Sequence, residues 1–126
     1  MREKPEHLVS IVDDDPSICE ATLSLLKANG FKTRSFCSAL EFLNCPQLDE
    51  IGCLILDLRL SGISGLELQR QLAEAGHRIP IIFITAHGTT EAREEAMRAG
   101  AVAFLSKPFS EEALLNSIHL ALEKPD

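Results

Sequence analysis

The sequence predicts an α/β fold in which five strand–helix units build a doubly wound, five-stranded parallel sheet. Strand-like and helix-like segments alternate along the 126 residues, and each unit takes about 25 residues, with turn signals between the units. The strand-like segments are apolar throughout rather than alternating, which is typical of strands that helices cover on both faces. The spacing of the segments does not give the order of the strands.

The first unit begins with a strand over residues 9–12 and an acidic turn. Asp15 is a suitable helix cap, because Pro16 follows at the first helical position, where its missing N–H leaves no bond unmade. Asn29 and Gly30 predict the end of this helix. Its apolar side consists of four residues at helical spacing: Ile18, Ala21, Leu25 and Leu26.

The second and third units follow the same pattern. A short strand over residues 33–36 precedes a capping box formed by Ser38 and Glu41, which opens a short helix. The third strand, residues 51–56, is the most apolar in the chain and runs directly into Asp57.

A second capping box, Ser64 to Glu67, opens the third helix, which Gly76 ends. Residues 81–84 form the fourth strand and run into Thr85. The sequence therefore predicts that this strand, like the third, presents a polar side chain at its end.

Thr89 or Thr90 caps the fourth helix, which Gly100 terminates. Residues 102–105 form the fifth strand, and Ser110 caps the last helix. The apolar stripe of that helix contains four residues: Leu114, Leu115, Ile118 and Leu122.

Composition excludes several classes of protein. The net charge is −7 and the basic residues are scattered, so we expect no nucleic acid to bind this domain, since phosphate binding needs clustered Lys and Arg. The apolar runs are strand-sized, far below the ~20 residues that span a bilayer. Residues 1–4 lead into a strand and not into a signal peptide. We therefore expect a cytoplasmic protein without a membrane partner.

The four cysteines, Cys19, Cys37, Cys45 and Cys53, form neither a CxxC pair nor a zinc-binding spacing with histidine. Their neighbours are mostly apolar, and free cysteine in such surroundings behaves as a small buried hydrophobe. We expect all four to be buried thiols.

Reactive groups follow four of the predicted strands: Asp13 with Asp14, then Asp57, Thr85 and Lys107. The carboxyl ends of parallel strands meet at one edge of the sheet, where such folds place their chemistry. Clustered carboxylates repel one another unless a cation lies between them, and oxygen ligands suit Mg²⁺. A carboxylate beside Mg²⁺ can attack phosphorus, with an amine and a hydroxyl stabilising the transferred group.

Each of these signals has a plainer interpretation when taken alone. The acidic turn can serve only to cap a helix, and a lysine before proline is usually a solvated loop residue. The metal pair can also be Asp14 with Asp15. Because Asp15 and Pro16 read well as a helix cap, we prefer Asp13 and Asp14.

Four segments resemble the receiver domain of bacterial two-component response regulators: residues 11–14, 54–60, 84–86 and 104–109. The resemblance extends from about residue 7 to residue 122, so residues 1–126 are expected to form a single receiver domain. The polar residues 123–126 read as the possible start of a linker to an output domain. Residues 86–88 and 96–101 resemble the FixJ branch, whose receivers usually precede a helix-turn-helix domain.

The resemblance implies a flavodoxin-like, CheY-like fold and a role for each site residue. Asp57 would accept a phosphoryl group from the phosphohistidine of a histidine kinase. Asp13, Asp14, Asp57 and the backbone carbonyl of Arg59 would bind Mg²⁺ (or Mn²⁺). Lys107 would bind the phosphoryl group, and the Lys107–Pro108 bond would be cis.

The resemblance also implies a switch. Thr85 would move toward the phosphate and Phe104 would turn inward with it, changing a dimerisation and output surface on the fourth helix and fifth strand that controls transcription. Arg59 and His87 occupy the positions that tune dephosphorylation in the family. The family commonly has proline at the position of Ser61, and this departure predicts a looser loop.

Two alternatives belong to other classes of protein. The chain would be a receiver-like interaction module if it bound no Mg²⁺. It would be a Mg²⁺-dependent phosphatase if it turned over aryl phosphates, although such enzymes typically have a second acid where this chain has Arg59. On the preferred interpretation the domain is not an enzyme and assists only its own phosphorylation and dephosphorylation.

Overall fold

The computed structural model describes residues 8–46 and 48–123. In this part of the chain five parallel strands form one sheet in the order β2-β1-β3-β4-β5, which confirms the predicted fold class. The strands are β1 (Leu8–Val12), β2 (Lys32–Phe36), β3 (Ile51–Asp57), β4 (Ile81–Thr85) and β5 (Ala103–Ser106). The helices are α1 (Pro16–Ala28), α2 (Ala39–Leu43), α3 (Gly65–Glu74), α4 (Thr90–Arg98) and α5 (Glu111–Glu123).

The strand order reverses direction next to β1. The chain passes from β1 outward to β2 and then crosses back to β3, which lies on the other side of β1. In open α/β sheets such a reversal leaves a crevice at the carboxyl ends of the two strands, where ligands bind. The topology therefore places the ends of β1 and β3 together at the position where chemistry is expected.

Side-chain caps start the helices where the sequence predicts them. Asp15 Oδ1 accepts a hydrogen bond from the Ser17 amide at 2.9 Å, so this carboxylate is a helix cap. Four hydroxyl oxygens do the same for the other helices at 3.0–3.1 Å: those of Ser38, Ser64, Thr89 and Ser110. Each cap satisfies an amide that has no partner within its helix. Thr89, and not Thr90, caps α4.

Two apolar layers cover the sheet. Phe42, Leu68 and Ala96, from α2, α3 and α4, pack with Leu54 and Leu56 on one face. On the opposite face α1 and α5 pack against the alternating residues of the same strands. Fully buried residues of this layer include Ile11, Leu26, Ile55, Ile84, Leu114 and Ile118. Because both faces of the central strands are buried, their sequences are mostly apolar instead of alternating.

The structure corrects two expectations of burial. Cys37 is exposed, whereas the other three cysteines are buried, because Cys37 follows β2, which lies at the edge of the sheet. Ala21, placed on the apolar side of α1, is also exposed. Leu26 instead carries the fully buried contact of that helix with the core.

Some elements of the structure differ from the sequence predictions. A 3₁₀ helix at Leu48–Glu50 was not predicted, and β5 begins one residue later than expected. The predicted linker lies outside the described residues except for Glu123, as does the amino-terminal segment 1–4. Within residues 8–46 and 48–123, no helix is both long enough and apolar enough to cross a bilayer.

Candidate functional site

The carboxyl ends of four strands bring the predicted reactive groups to one edge of the sheet. Asp57 is the last residue of β3 and Thr85 the last residue of β4, and both are buried. Asp13 directly follows β1, and Lys107 directly follows β5. Because β1 and β4 flank β3, these side chains surround the carboxyl end of β3.

Lys107 is the cation of the site and contacts two carboxylates. Its Nζ lies 3.0 Å from Asp13 Oδ2 and 3.3 Å from Asp57 Oδ2. Its backbone N–H donates to the Thr85 carbonyl at 2.8 Å, which fixes the lysine beside β4. The Lys107–Pro108 peptide bond is cis, as predicted.

Asp13 is a buried carboxylate with few polar partners. Its Oδ1 accepts a hydrogen bond from the Asp15 amide at 2.9 Å, and Lys107 contacts Oδ2. Burial raises the pKa of Asp13 and the negative charge of Asp57 raises it further, while the bonds from Asp15 and Lys107 act in the opposite direction. The negative charge at Asp13 is therefore incompletely compensated in the absence of a further cation.

The pKa of Lys107 responds to the same charges with the opposite sign. Burial alone lowers the pKa of the ammonium group, but the hydrogen bonds and negative charges of Asp13 and Asp57 outweigh this effect and raise it. Lys107 is therefore fully protonated at neutral pH and serves as a fixed positive charge between the two carboxylates.

Asp14 is exposed and connects two loops. Its Oδ2 accepts hydrogen bonds from the backbone N–H of Ser61 at 3.2 Å and from the Ser61 hydroxyl at 3.0 Å. A proline at this position would lack both donors. Ser61 thus ties the loop after β3 to the acidic turn after β1, in place of the looser loop that the sequence suggested.

The acidic cluster has the donor set of a site for a hard divalent cation. One carboxylate oxygen from each of Asp13, Asp14 and Asp57 lies within 4.8 Å of the others, whereas the Asp15 carboxylate caps α1. The three carboxylates outnumber the ammonium group of Lys107, which contacts Asp13 and Asp57. Oxygen ligands and uncompensated negative charge are the properties that favour Mg²⁺ or a similar ion, so the residues fit such an ion.

Arg59 and His87 flank the cluster on two loops. The backbone N–H of Arg59 donates to Asp57 Oδ1 at 3.1 Å, so this loop holds the carboxylate in place. The Arg59 side chain is exposed, and no ion pair involves it in the described part of the chain. His87 is exposed, and its backbone N–H donates to Thr85 Oγ1 at 3.1 Å.

Thr85 and Phe104 lie on adjacent strands next to the site. Thr85 is 1% exposed, and the Phe104 ring is partly buried, with its centroid 6.1 Å from that of Phe83. Phe104 is also tied to α4, because Arg93 Nη1 donates to its carbonyl at 3.4 Å. This bond links the backbone of β5 to α4 beside the Phe104 ring.

Sequence reasoning did not find a structural role for two glycines next to these residues. A Cβ atom on Gly65 would lie 2.5 Å from the Asp57 carbonyl oxygen, and one on Gly88 would lie 2.8 Å from the Phe104 ring. Neither has the positive φ that would mark a glycine turn. Each glycine is required by its close contact with another part of the fold, and a local sequence pattern does not indicate such a contact.

Known proteins are similar to this chain in both sequence and fold. Residues 9–119 match the response regulator receiver domain family. The response regulator protein TmoT of Ectopseudomonas mendocina is 48% identical over 118 residues, which are 94% of this chain and 54% of TmoT. The transcriptional regulatory protein FixJ of Azorhizobium caulinodans is 37% identical over 119 residues, which are 94% of this chain and 56% of FixJ.

The structural comparison leads to the same group. The crystal structure of FixJ-N has a TM-score of 0.88 and 36% identity, and 98% of each chain is covered. The present chain spans about half the length of the curated relatives TmoT and FixJ. Sequence and fold together show that the chain belongs to the response regulator receiver domain family, in its FixJ-like branch.

Proposed function

We propose that this receiver domain accepts a phosphoryl group on Asp57 from the phosphohistidine of a histidine kinase, with Mg²⁺ (or Mn²⁺) bound at the adjacent acidic cluster. The observation that carries the proposal is the meeting of Lys107 with Asp57 and Asp13 at 3.3 Å and 3.0 Å. A nucleophilic carboxylate, a fixed ammonium and two further carboxylates are the groups that phosphoryl transfer to an aspartate requires.

The residues of the chain have separate tasks in this reaction. An Asp57 oxygen attacks phosphorus, the P–N bond to the donor imidazole breaks, and the electron pair leaves with that nitrogen. Lys107 donates to the transferred phosphoryl oxygens, and the Thr85 hydroxyl is the second donor. The backbone N–H of Arg59, 3.1 Å from Asp57 Oδ1, orients the nucleophile. The metal would lie among Asp13, Asp14, Asp57 and the Arg59 carbonyl and would neutralise charge on the phosphoryl oxygens.

Phosphorylation of Asp57 would also change the surface through which the domain acts on other parts of the protein. A phosphoryl group on Asp57 adds negative charge and acceptor oxygens beside Thr85, and Thr85 with Phe104 shifts the population of the α4–β5 surface. We infer that the phosphorylated domain dimerises through this surface. FixJ is a transcriptional regulatory protein, and an output region beyond these 126 residues would control transcription in the same manner.

Two further residues, Arg59 and His87, are positioned to affect how long Asp57 stays phosphorylated. Arg59 and His87 are exposed at the rim of the site, and neither side chain contacts the carboxylates in the described residues. Both are free to act on a water that approaches the phosphorylated Asp57. We infer that they set the rate of dephosphorylation and not the rate of phosphorylation.

The proposal is tested by incubating the domain with acetyl phosphate and following its intact mass with Mg²⁺ or with EDTA. Wild type should gain one phosphoryl group only with Mg²⁺, and Asp57→Asn should gain none. Asp49→Asn is the matched control, because Asp49 is an exposed acid that contacts His77 and not the site; it should behave as wild type. Equal labelling of Asp57→Asn and wild type would refute the assignment of the acceptor.

A further inference from the structure

Gly88 lies where a side chain would meet two residues of the proposed switch. An added Cβ atom would lie 2.8 Å from Cε1 and 3.2 Å from Cζ of Phe104, and 2.9 Å from Cγ2 of Thr85. Non-bonded carbon atoms are in favourable contact at about 3.5–4.0 Å. A side chain at residue 88 would therefore overlap both the Phe104 ring and the Thr85 methyl group.

The backbone does not require glycine at this position. In the described residues, glycines with positive φ are Gly30, Gly62, Gly76 and Gly100, and the same four have open space around an added Cβ. Gly88 differs from them in both respects. Glycine is suited to this position because it has no side chain, and not because its backbone adopts a conformation that other residues avoid.

The ring is the group that would yield to a side chain at residue 88. Thr85 is buried at the end of β4, where neighbouring strands hold it, and Gly88 is held between the Thr85–His87 hydrogen bond and the Thr89 cap of α4. Phe104 is only partly buried, and its contacting atoms are at the far end of a rotatable side chain. A methyl group at residue 88 should rotate the ring toward solvent.

We propose that Gly88 is a positioning residue for the switch, because the space that it leaves lets the Phe104 ring pack against Thr85 and couples the phosphorylation site to the α4–β5 surface. The coupling between the phosphorylation site and the α4–β5 surface rests on the proposed function. The placement of the ring can be tested with the unphosphorylated protein alone.

The test is the NMR cross-relaxation between the Thr85 methyl group and the Phe104 ring hydrogens, recorded for wild type and Gly88→Ala. Wild type should show the cross-peak, because the Phe104 ring and the Thr85 methyl carbon both lie within 3 Å of the position that a Gly88 Cβ atom would take. Gly88→Ala should lose the cross-peak. After addition of acetyl phosphate and Mg²⁺, the amide shift changes in β5 and α4 should be smaller in Gly88→Ala than in wild type. A retained cross-peak with unchanged shift responses would overturn the proposal.

A second variant keeps the test decisive if Gly88→Ala does not fold. Replacing the ring in Gly88→Ala/Phe104→Leu removes the ring atoms at 2.8 Å and 3.2 Å from the added methyl group and leaves the Thr85 Cγ2 contact at 2.9 Å. This double variant should therefore recover part of the stability that Gly88→Ala loses. Failure of the double variant to recover would also overturn the proposal. Failure of wild type to accept phosphate would refute the proposed function, yet the cross-peak would still report whether Gly88 positions the ring.

Discussion

Asp13 holds the ammonium group of Lys107 at 3.0 Å, which is shorter than the 3.3 Å from the same nitrogen to Asp57. In this state the lysine is shared between a proposed metal ligand and the proposed phospho-acceptor. A divalent cation near Asp13 would compete with Lys107 for that carboxylate. We expect such an ion to release the lysine toward Asp57 and its phosphoryl group.

The first prediction concerns Asp13→Asn. Burial raises the pKa of Asp13 and the charge of Asp57 adds to it, so the ionised carboxylate destabilises the metal-free domain. The amide keeps an acceptor for the Asp15 N–H and removes the charge. Urea denaturation in EDTA at neutral pH should show a gain of about 1 kcal/mol, the usual size of a single-residue effect.

Mg²⁺ supplies the control for this variant. A bound ligand stabilises the folded state according to its concentration relative to its dissociation constant, so Mg²⁺ should stabilise wild type and have little effect on Asp13→Asn. A loss of stability of Asp13→Asn in EDTA would contradict the electrostatic interpretation of this site.

The second prediction concerns Gly65→Ala. The added Cβ would lie 2.5 Å from the Asp57 carbonyl oxygen and 3.1 Å from the Leu58 Cα, and neither backbone atom can rotate away. We expect a loss of roughly 1–3 kcal/mol, as for other overpacked sites, together with slower phosphate uptake from acetyl phosphate. Denaturation and mass spectrometry measure the two effects.

Ser64→Ala is the matched control for that variant. It removes the hydroxyl that caps α3, 3.1 Å from the Glu67 amide, and should cost about 1 kcal/mol without displacing Asp57. Equal phosphate uptake by Gly65→Ala and Ser64→Ala would mean that the close approach of Gly65 does not govern the position of the acceptor.

The third prediction is a loss of stability in alkaline solution. Burial raises the pKa of Cys53 from 9.0 to about 12 and that of Cys19 from 9.0 to about 11. A raised pKa contributes stability that is complete below the unfolded-state value and is lost as pH rises toward the folded-state value. The pKa of Lys107 is also raised, and its contribution changes in the same direction.

Urea denaturation at several pH values from 8 upward measures this effect. The free energy of unfolding should be nearly constant to pH ~9 and then fall, since unfolded thiols begin to ionise there. Cys53→Val should show a shallower decline. An unfolding free energy that rises above pH 9 would be inconsistent with the buried thiols.

The fourth prediction concerns thiol exposure. Cys37 is exposed, whereas Cys19, Cys45 and Cys53 are buried. An aromatic disulfide reagent should therefore modify one thiol per chain rapidly, and the other three only as the domain opens. Cys37→Ser should remove the rapid phase. A rapid phase of more than one thiol in wild type would contradict the described packing.

Much of the site could be predicted because its signals are local. An apolar strand followed directly by Asp57 is readable in one short segment, and the capping residues require no knowledge of distant contacts. The contact of Ser61 with Asp14 joins residues 47 positions apart, and no local pattern indicates it. Cys37 was misjudged because its exposure depends on β2 being an edge strand, and segment spacing does not determine strand order.

The most direct test of the central claim is to locate the phosphoryl group itself. After incubation with acetyl phosphate and Mg²⁺, borohydride reduces an acyl phosphate on aspartate to homoserine, and peptide mapping identifies the converted residue. The proposed function predicts homoserine at position 57 and unmodified aspartate at 13 and 14. Conversion at Asp13 or Asp14 with Asp57 intact would contradict it.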